Sequence, residues 1–324
     1  MLRQVKIYPG GVQDIINLPF WIPVTQCDTA DELWIDFHLV NPQESNLDWS
    51  LIRAAQKVVI YDIFHACPRL SAYNNWVRKI ADCKPLIWIT TNPMPMLGVR
   101  TVHFDYYWNR TKRAFQDKQL THKLWAIENY EIYPIHSFPR SRKFLTYHYA
   151  LNHYRDRLHQ VVKMYTGYVN DPRSNNWLEP NVTQIRNQAW HAHNVAPPAR
   201  SYFDNSYVTC LVESQCEGSN FTVSEKTYDH LIQGRCVLNF APAGFYDYLA
   251  KQGWALPGGI DWSWNLIEDD EERFLSYLQE VTKLLDLNLE DLHKWFMSNM
   301  LCWQHNQNML ENKPYDIIDT TGLW

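Results

Sequence analysis

Two near-continuous apolar runs, "KVVIYDI" at 57–63 and "PLIWIT" at 85–90, constrain this chain more than any other feature. Neither alternates with polar residues, so each reads as a strand buried on both faces. Between them "LSAYNNWVRKIAD", 70–82, has the spacing of an amphipathic helix. Strand, helix, strand with apolar strands is the pattern of a parallel sheet with helical crossovers, so the fold class is α/β. "TVHFDYYW", 101–108, predicts a third, short strand.

A second unit opens near residue 140. "RKFLTY" (142–147) is strand-like, and "NHYRDRLHQVVKMY" (152–165) predicts a helix with Leu158, Val161, Val162 and Tyr165 on one side. The Asn- and Pro-rich stretch 170–200 reads as irregular, and "SYVTCLVES" (206–214) as a strand. Then "VSEKTYDHLIQGRCVLNFAPAGFYDYLAKQGW" (223–254) packs a short loop, a helix over 225–233 closed by Gly234, the strand "CVLNFA", and a helix over 244–253 closed by Gly253. "DDEERFLSYLQEVTKLL" begins with acids that suit a helix start, and "NLEDLHKWFMSNMLCWQHNQNML" reads as a helix long enough to run across the molecule. The 324 residues therefore suit two domains, 1–140 and 141–295, with a terminal helix over 296–324 crossing back to the first.

Composition narrows the partners. A 46% apolar chain with 20% charged residues is globular, and fifteen Trp, nineteen Tyr and thirteen Phe leave some rings for a flat partner such as a sugar or a base. The net charge of -5 disfavours non-specific nucleic-acid binding, although Lys143, Arg155, Arg157 and Lys163 leave room for a local basic groove. The seven cysteines include no Cys-x-x-Cys pair. No leader-like or membrane-spanning run is present, so a cytoplasmic location and no membrane partner are expected.

Glu225, Lys226 and Thr227 stand side by side where a helix begins after a buried strand. A helix start favours anions, Lys226 supplies a point charge for a phosphate, and Glu225 can accept from ribose or sugar hydroxyls. Ligands of open parallel sheets bind outside the carboxyl ends of the strands, where this loop falls. The same pair could act only as an ion pair on the first turn. Arg155 and Arg157, two apart on one helix, point different ways; Arg157, beside Leu158 at the margin of the apolar stripe, is taken to reach a cleft. Both could equally be surface arginines.

The block from "VTCLVES" through "AKQGW" resembles the donor-binding segment of glycosyltransferases related to the alpha-1,3-fucosyltransferases, and most of all the small enzymes of that kind from bacteriophages and large DNA viruses. There a strand ending in Glu precedes Thr-Glu-Lys-Thr, a helix, a Gly and a strand. Here the strand ends at Glu213 and the motif is Ser224-Glu225-Lys226-Thr227, with Ser keeping the hydroxyl. "KFLTYHYALNHYRDRLHQVV" is similar to the segment that places an Asn and an Arg near the donor phosphates, matching Asn152 and Arg157. "VVIYDIFHA" and "FDYYWNRT" are similar to the acceptor half. The resemblance implies a GT-B architecture of two Rossmann-like domains facing across a cleft. It also implies an inverting, metal-independent transfer from a GDP- or UDP-linked sugar to a glycan or a hydroxymethylated DNA base. It assigns Lys226 and Arg157 to the pyrophosphate, Glu225 to hydroxyls, and Glu213 to the strand end beneath the site, where it orients the loop or touches the donor; Asn152 and Tyr228 add hydrogen bonds, or Tyr228 is core instead.

Inversion requires a general base in the first domain, and Asp62, His65 and Asp105 are the candidates. A loop cap or a core histidine is the plainer role for each. If DNA is the acceptor, its base must be flipped out, and Tyr106, Tyr107 or Trp108 could stack on it. No Asp-x-Asp occurs; Asp269 and Asp270 suit a helix start, and His191 and His193 lack a third ligand, so no metal site is expected. Two other classes remain: a carbohydrate- or nucleic-acid-binding module on the same shell, and a scaffold with an aromatic interface.

Overall fold

The computed structural model describes residues 3–8, 22, 24–36, 47–62, 70–91, 93, 98–116, 132, 134–146, 152–164, 168–170, 205–213, 215–218, 222–320 and 322–324. The chain forms two compact units, one of Met1–Asn109, Asn220–Thr222 and Tyr315–Trp324, the other of Arg110–Ser219 and Val223–Pro314. Each is built on a parallel sheet flanked by helices, a two-domain Rossmann-like α/β fold.

The first unit holds β1 (Arg3–Ile7), β2 (Val24–Gln26), β3 (Glu32–Asp36), β4 (Lys57–Asp62), β5 (Leu86–Thr90) and β6 (Arg100–His103). Their order is β2-β1-β3-β4-β5-β6, with every pairing parallel. Alternate strand residues enter two separate cores. Leu33, Ile35, Val58, Ile60 and Trp88 pack with Ile52 of α1 (Trp49–Ala54) and with Trp76, Val77 and Ile80 of α2 (Leu70–Cys83). Trp34, Val59, Tyr61, Ile87 and Ile89 pack with Phe104 and, from the far end of the chain, Ile318 and Leu323. Burial on both faces explains why the strands read as unbroken apolar runs.

The predicted strand at 101–108 needs correction: β6 stops at His103. The Asp105 Oδ1 accepts the Trp108 N–H at 3.1 Å, and the chain turns into α3 (Tyr106–Gln116). A carboxylate placed to meet an orphan amide outweighs the strand preference of Tyr-Tyr-Trp. The backbone N–H of Asp105 is also held by Asp316 at 2.7 Å.

The second unit holds β7 (Arg142–Thr146), β8 (Tyr168–Asn170), β9 (Ser206–Val212) and β10 (Cys236–Phe240) in the order β10-β9-β7-β8, again all parallel. Around them lie α4 (His153–Lys163), α5 (Glu225–Leu231), α6 (Phe245–Lys251), α7 (Asp270–Asp286), α8 (Leu289–Ser298) and α9 (Met300–Asn312). α5 ends two residues earlier than the periodicity predicts, and Gly234, at φ +64°, turns the chain toward β10. A Cβ there would meet Ile135 Cδ1 at 2.6 Å, so backbone freedom and space both require glycine.

The single long terminal helix is a second correction, because α8 and α9 part at Asn299. Its Oδ1 accepts the Gly258 N–H at 2.7 Å and its Nδ2 donates to the Trp295 carbonyl at 2.9 Å. An Asn side chain that binds backbone groups competes with helical continuation.

Counted within its own unit, each sheet sets its first strand between the second and the third. The order therefore reverses between β1 and β3 in one sheet and between β7 and β9 in the other. Open α/β sheets present their ligand crevice at such reversals, outside the carboxyl ends of the strands.

Candidate functional site

Glu213 follows the last residue of β9 at the reversal and is buried, 6% exposed. One carboxylate oxygen, Oε1, accepts from Ser224 N at 3.3 Å, Ser224 Oγ at 2.8 Å, Thr227 Oγ1 at 2.8 Å and Asn239 Nδ2 at 2.9 Å. Asn239, from β10, also donates to Thr227 Oγ1 at 2.7 Å, which ties strand, loop and helix into one network. Ser224 stands at the N-cap of α5 but makes no capping side-chain bond, since its hydroxyl goes to Glu213. The loop over α5 is thus hung from a single carboxylate, and charge-assisted bonds of this kind are about twice as strong as neutral ones.

Arg155 lies under the same strand end. Its Nε and Nη2 donate to the Val212 carbonyl at 3.1 and 2.9 Å, and burial depresses its pKa against the opposing charges of Glu213 and Cys216. Arg157 is the partly exposed one: it pairs with Glu271 at 2.7 Å and stacks on Phe274, 4.6 Å from the ring centre. Counting from Leu158 explains the pair. Residues 155, 158, 159 and 162 fall on one helix face, and Arg155, Leu158, His159 and Val162 are all buried. Asn152 caps α4, its Oδ1 accepting the Arg155 N–H at 2.8 Å.

Glu225 and Lys226 form an ion pair at 2.7 Å at the start of α5. Burial opposes ionisation of Glu225, but Lys226 and Arg110 outweigh it and hold the pKa below the ordinary carboxylate value. Asp229, one turn on, is pushed up to about 8 by burial and by Glu225, against the pull of Arg110, of the Thr111 hydrogen bond and of Lys226. Tyr228 is fully buried and stacks against Trp254 at 5.6 Å, so its ring belongs to the core.

The sequence candidates therefore divide. The structure brings Glu213, Ser224 and Thr227 together, pairs Glu225 with Lys226, and sets Asn152 and Arg157 in other bonds. Of the proposed bases, Asp62 closes β4 in register with Thr90, Asp105 caps α3, and His65 lies outside the described residues. Tyr107 and Trp108 are buried in α3 and Tyr106 is partly buried, so the aromatic loop is a helical turn. His191 and His193 also lie outside the described residues. Asp269 caps α7 through Glu272 N at 2.8 Å, while Asp270 accepts from Gly218 N at 2.9 Å and pairs with Arg273.

Four residues escaped the sequence reading: Arg110, Asp229, Asn239 and Arg273. Asn239 carried a signal, because a polar residue inside "CVLNFA" must be hydrogen-bonded if the strand is buried. Arg273 is fully buried; it donates to the carbonyls of Ala241 (3.0 Å), Cys216 (3.0 Å), Ile267 (2.7 Å) and Glu268 (3.2 Å). It binds the segments that follow β9 and β10 to the start of α7.

Among the described residues, no group of three or more His, Cys, Asp or Glu is placed to hold a metal, and no helix is long and apolar enough to cross a membrane. Comparison with protein-family models, with curated proteins and with solved structures finds no match.

Proposed function

We propose that this protein is a nucleotide-sugar-dependent glycosyltransferase of the GT-B kind, with its donor site at the carboxyl end of β9. The observation that carries the reading is the Glu213 network, a buried carboxylate at a strand-order reversal that fixes the loop bearing Glu225 and Lys226. On this reading Lys226 exchanges Glu225 for the diphosphate, whose growing negative charge it stabilises as the sugar departs. Glu225, relieved of its partner, accepts from hydroxyls of the ribose or the sugar. A base of the first unit, for which Asp62, His65 and Asp105 are the candidates, takes the acceptor proton, and the transfer runs without a metal. The acceptor is a glycan hydroxyl or the hydroxymethyl group of a modified DNA base.

Calorimetric titration with UDP, GDP, CDP, ADP and dTDP in the presence of a chelator tests the donor site. One nucleotide should bind selectively, and Lys226→Ala should weaken it by about tenfold to hundredfold, the loss of one charge-assisted contact. Removing the base, by substitution of Asp62, His65 and Asp105 in turn, should leave that binding intact while abolishing transfer at one of the three. A folded protein that binds none of the five is a binding module or scaffold, and the glycosyltransferase reading falls.

A further inference from the structure

Asp229 lies four residues beyond Glu225 on α5, and the two residues are 5% and 9% exposed. Acids at this spacing share a helix face and repel one another, strongly where water is excluded. Three groups favour the ionised form of Asp229: Thr111 Oγ1 donates to its Oδ1 at 3.2 Å, and the charges of Arg110 and Lys226 attract it. Lys226 is held by Glu225.

Among the described residues, α5 and the elements around it carry further titratable groups. His230 Nδ1 is 2.6 Å from the Lys226 carbonyl, and Lys112 of α3 donates to the carbonyls of Leu310 (2.8 Å) and Lys313 (2.5 Å). β10 and α9 also pack on α5. β10 contributes the buried Cys236 thiol, and α9 contributes Cys302 on the Ala255 carbonyl, His305 on the Gly253 carbonyl and the exposed Glu311.

We propose that Asp229 gates the anion site through its proton: an anion settles beside Lys226 while Asp229 is neutral, and ionisation of Asp229 drives it out. The proposal rests on Lys226 as the anion-binding residue. When Lys226 leaves Glu225 for an incoming diphosphate, the buried acid pair loses part of its neutralising charge. Two carboxylates one turn apart cannot both stay ionised there, so the pair keeps one proton. That proton resides on Asp229, whose carboxyl is pushed up to about 8 by burial and by Glu225. Where Asp229 is ionised beforehand, binding draws one proton from solvent and release returns it.

The test is calorimetric titration of the full chain with GDP, UDP and inorganic pyrophosphate across neutral and alkaline pH, in buffers of different ionisation enthalpy. Above pH of about 8 the wild-type dissociation constant should rise by nearly tenfold per pH unit, with uptake of one proton on binding. Asp229→Asn, which keeps the shape and can still accept from Thr111, should bind with no break near that pH. Thr111→Val removes a donor that favours the ionised form and should move the break upward, a shift no merely structural role produces. A wild-type affinity without the break, or a break that survives in Asp229→Asn, overturns the gate and leaves the donor site standing. Carbon-13 carboxyl titration of the ligand-free protein gives an independent check, and an Asp229 that titrates near the ordinary value of about 4 overturns the gate whatever binds. If none of the three anions binds at any pH, the donor site and its gate fall together.

Discussion

The two units use buried charge at opposite ends of their sheets. In the first, Glu32 opens β3, and its carboxylate accepts from Arg3 at the start of β1, from Trp34 Nε1 at 2.7 Å, and from Trp324 Nε1. Arg3 further donates to the Thr320 carbonyl, and Lys57 sits 5.0 Å over the Trp324 ring. This network lies at the amino ends of the strands and fastens the last ten residues to the sheet. In the second unit the carboxylates gather at the carboxyl ends, where Glu213 anchors a loop and Glu225 and Asp229 crowd the helix beyond it. One acid with three donors makes a closed staple. Two buried acids with shared cations make a site whose charge state can change.

The sharpest way to break this contrast is Arg273→Ala. It removes a fully buried guanidinium, leaves the Ala241 and Cys216 carbonyls without that donor and opens a cavity, at a cost of about 3–5 kcal/mol read by urea denaturation. Arg273→Lys should rescue little, because one ammonium cannot reach carbonyls arrayed around a planar fork. Removal of residues 315–324 comes next. It strips Ile318 and Leu323 from a core they share with Trp34 and Ile87, a loss of about 3–4 kcal/mol. Amide exchange should accelerate across β1 to β6 and stay unchanged across β7 to β10. Uniform acceleration would mean that the C-terminal segment does not serve the first unit alone.

Smaller and more informative is the pair Glu32→Gln and Glu213→Gln. Each leaves a buried network short of one negative charge and should cost about 1–3 kcal/mol. If the donor site is as proposed, Glu32→Gln should leave nucleotide binding intact, whereas Glu213→Gln should weaken it by loosening Ser224 and Thr227. Equal losses of binding would erase the distinction between the two ends.

The strands were legible because burial on both faces leaves no polar residue to interrupt "KVVIY" or "LIWIT", and because the parallel pattern follows from that alone. α3 was missed: Tyr106, Tyr107 and Trp108 favour strands by type, but Asp105, three residues before Trp108, is a local N-cap signal that a reading by residue type passes over. The site was half visible. Ser224 through Thr227 stand next to one another in sequence, but the network that anchors them, Glu213 bridged by Asn239, depends on β10 lying beside β9. Arg155 could have been found by counting three residues back from Leu158, since helical spacing outranks adjacency. Asp229 could not, because α5 is buried nearly all round and its periodicity carries no face.

The smallest expected effect belongs to Glu271→Ala, and it separates two uses of Arg157. In the structure Arg157 is raised in pKa by its hydrogen bond to Glu271, and Glu271 is lowered by the same bond, both near solvent. Exposed pairs of this kind contribute little and fade with salt, so the urea midpoint should hardly move. For Glu271, whose folded pKa is depressed, what stability the pair gives is present above the unfolded pKa and lost as pH falls through the folded one. If Arg157 serves only the pair, nucleotide affinity is also unchanged. If it turns to the diphosphate when donor binds, losing the competing carboxylate should tighten binding a few-fold, and Arg157→Ala should weaken it. An Arg157→Ala protein with unaltered affinity would leave Lys226 as the cation of the pair assigned to the diphosphate that acts on it.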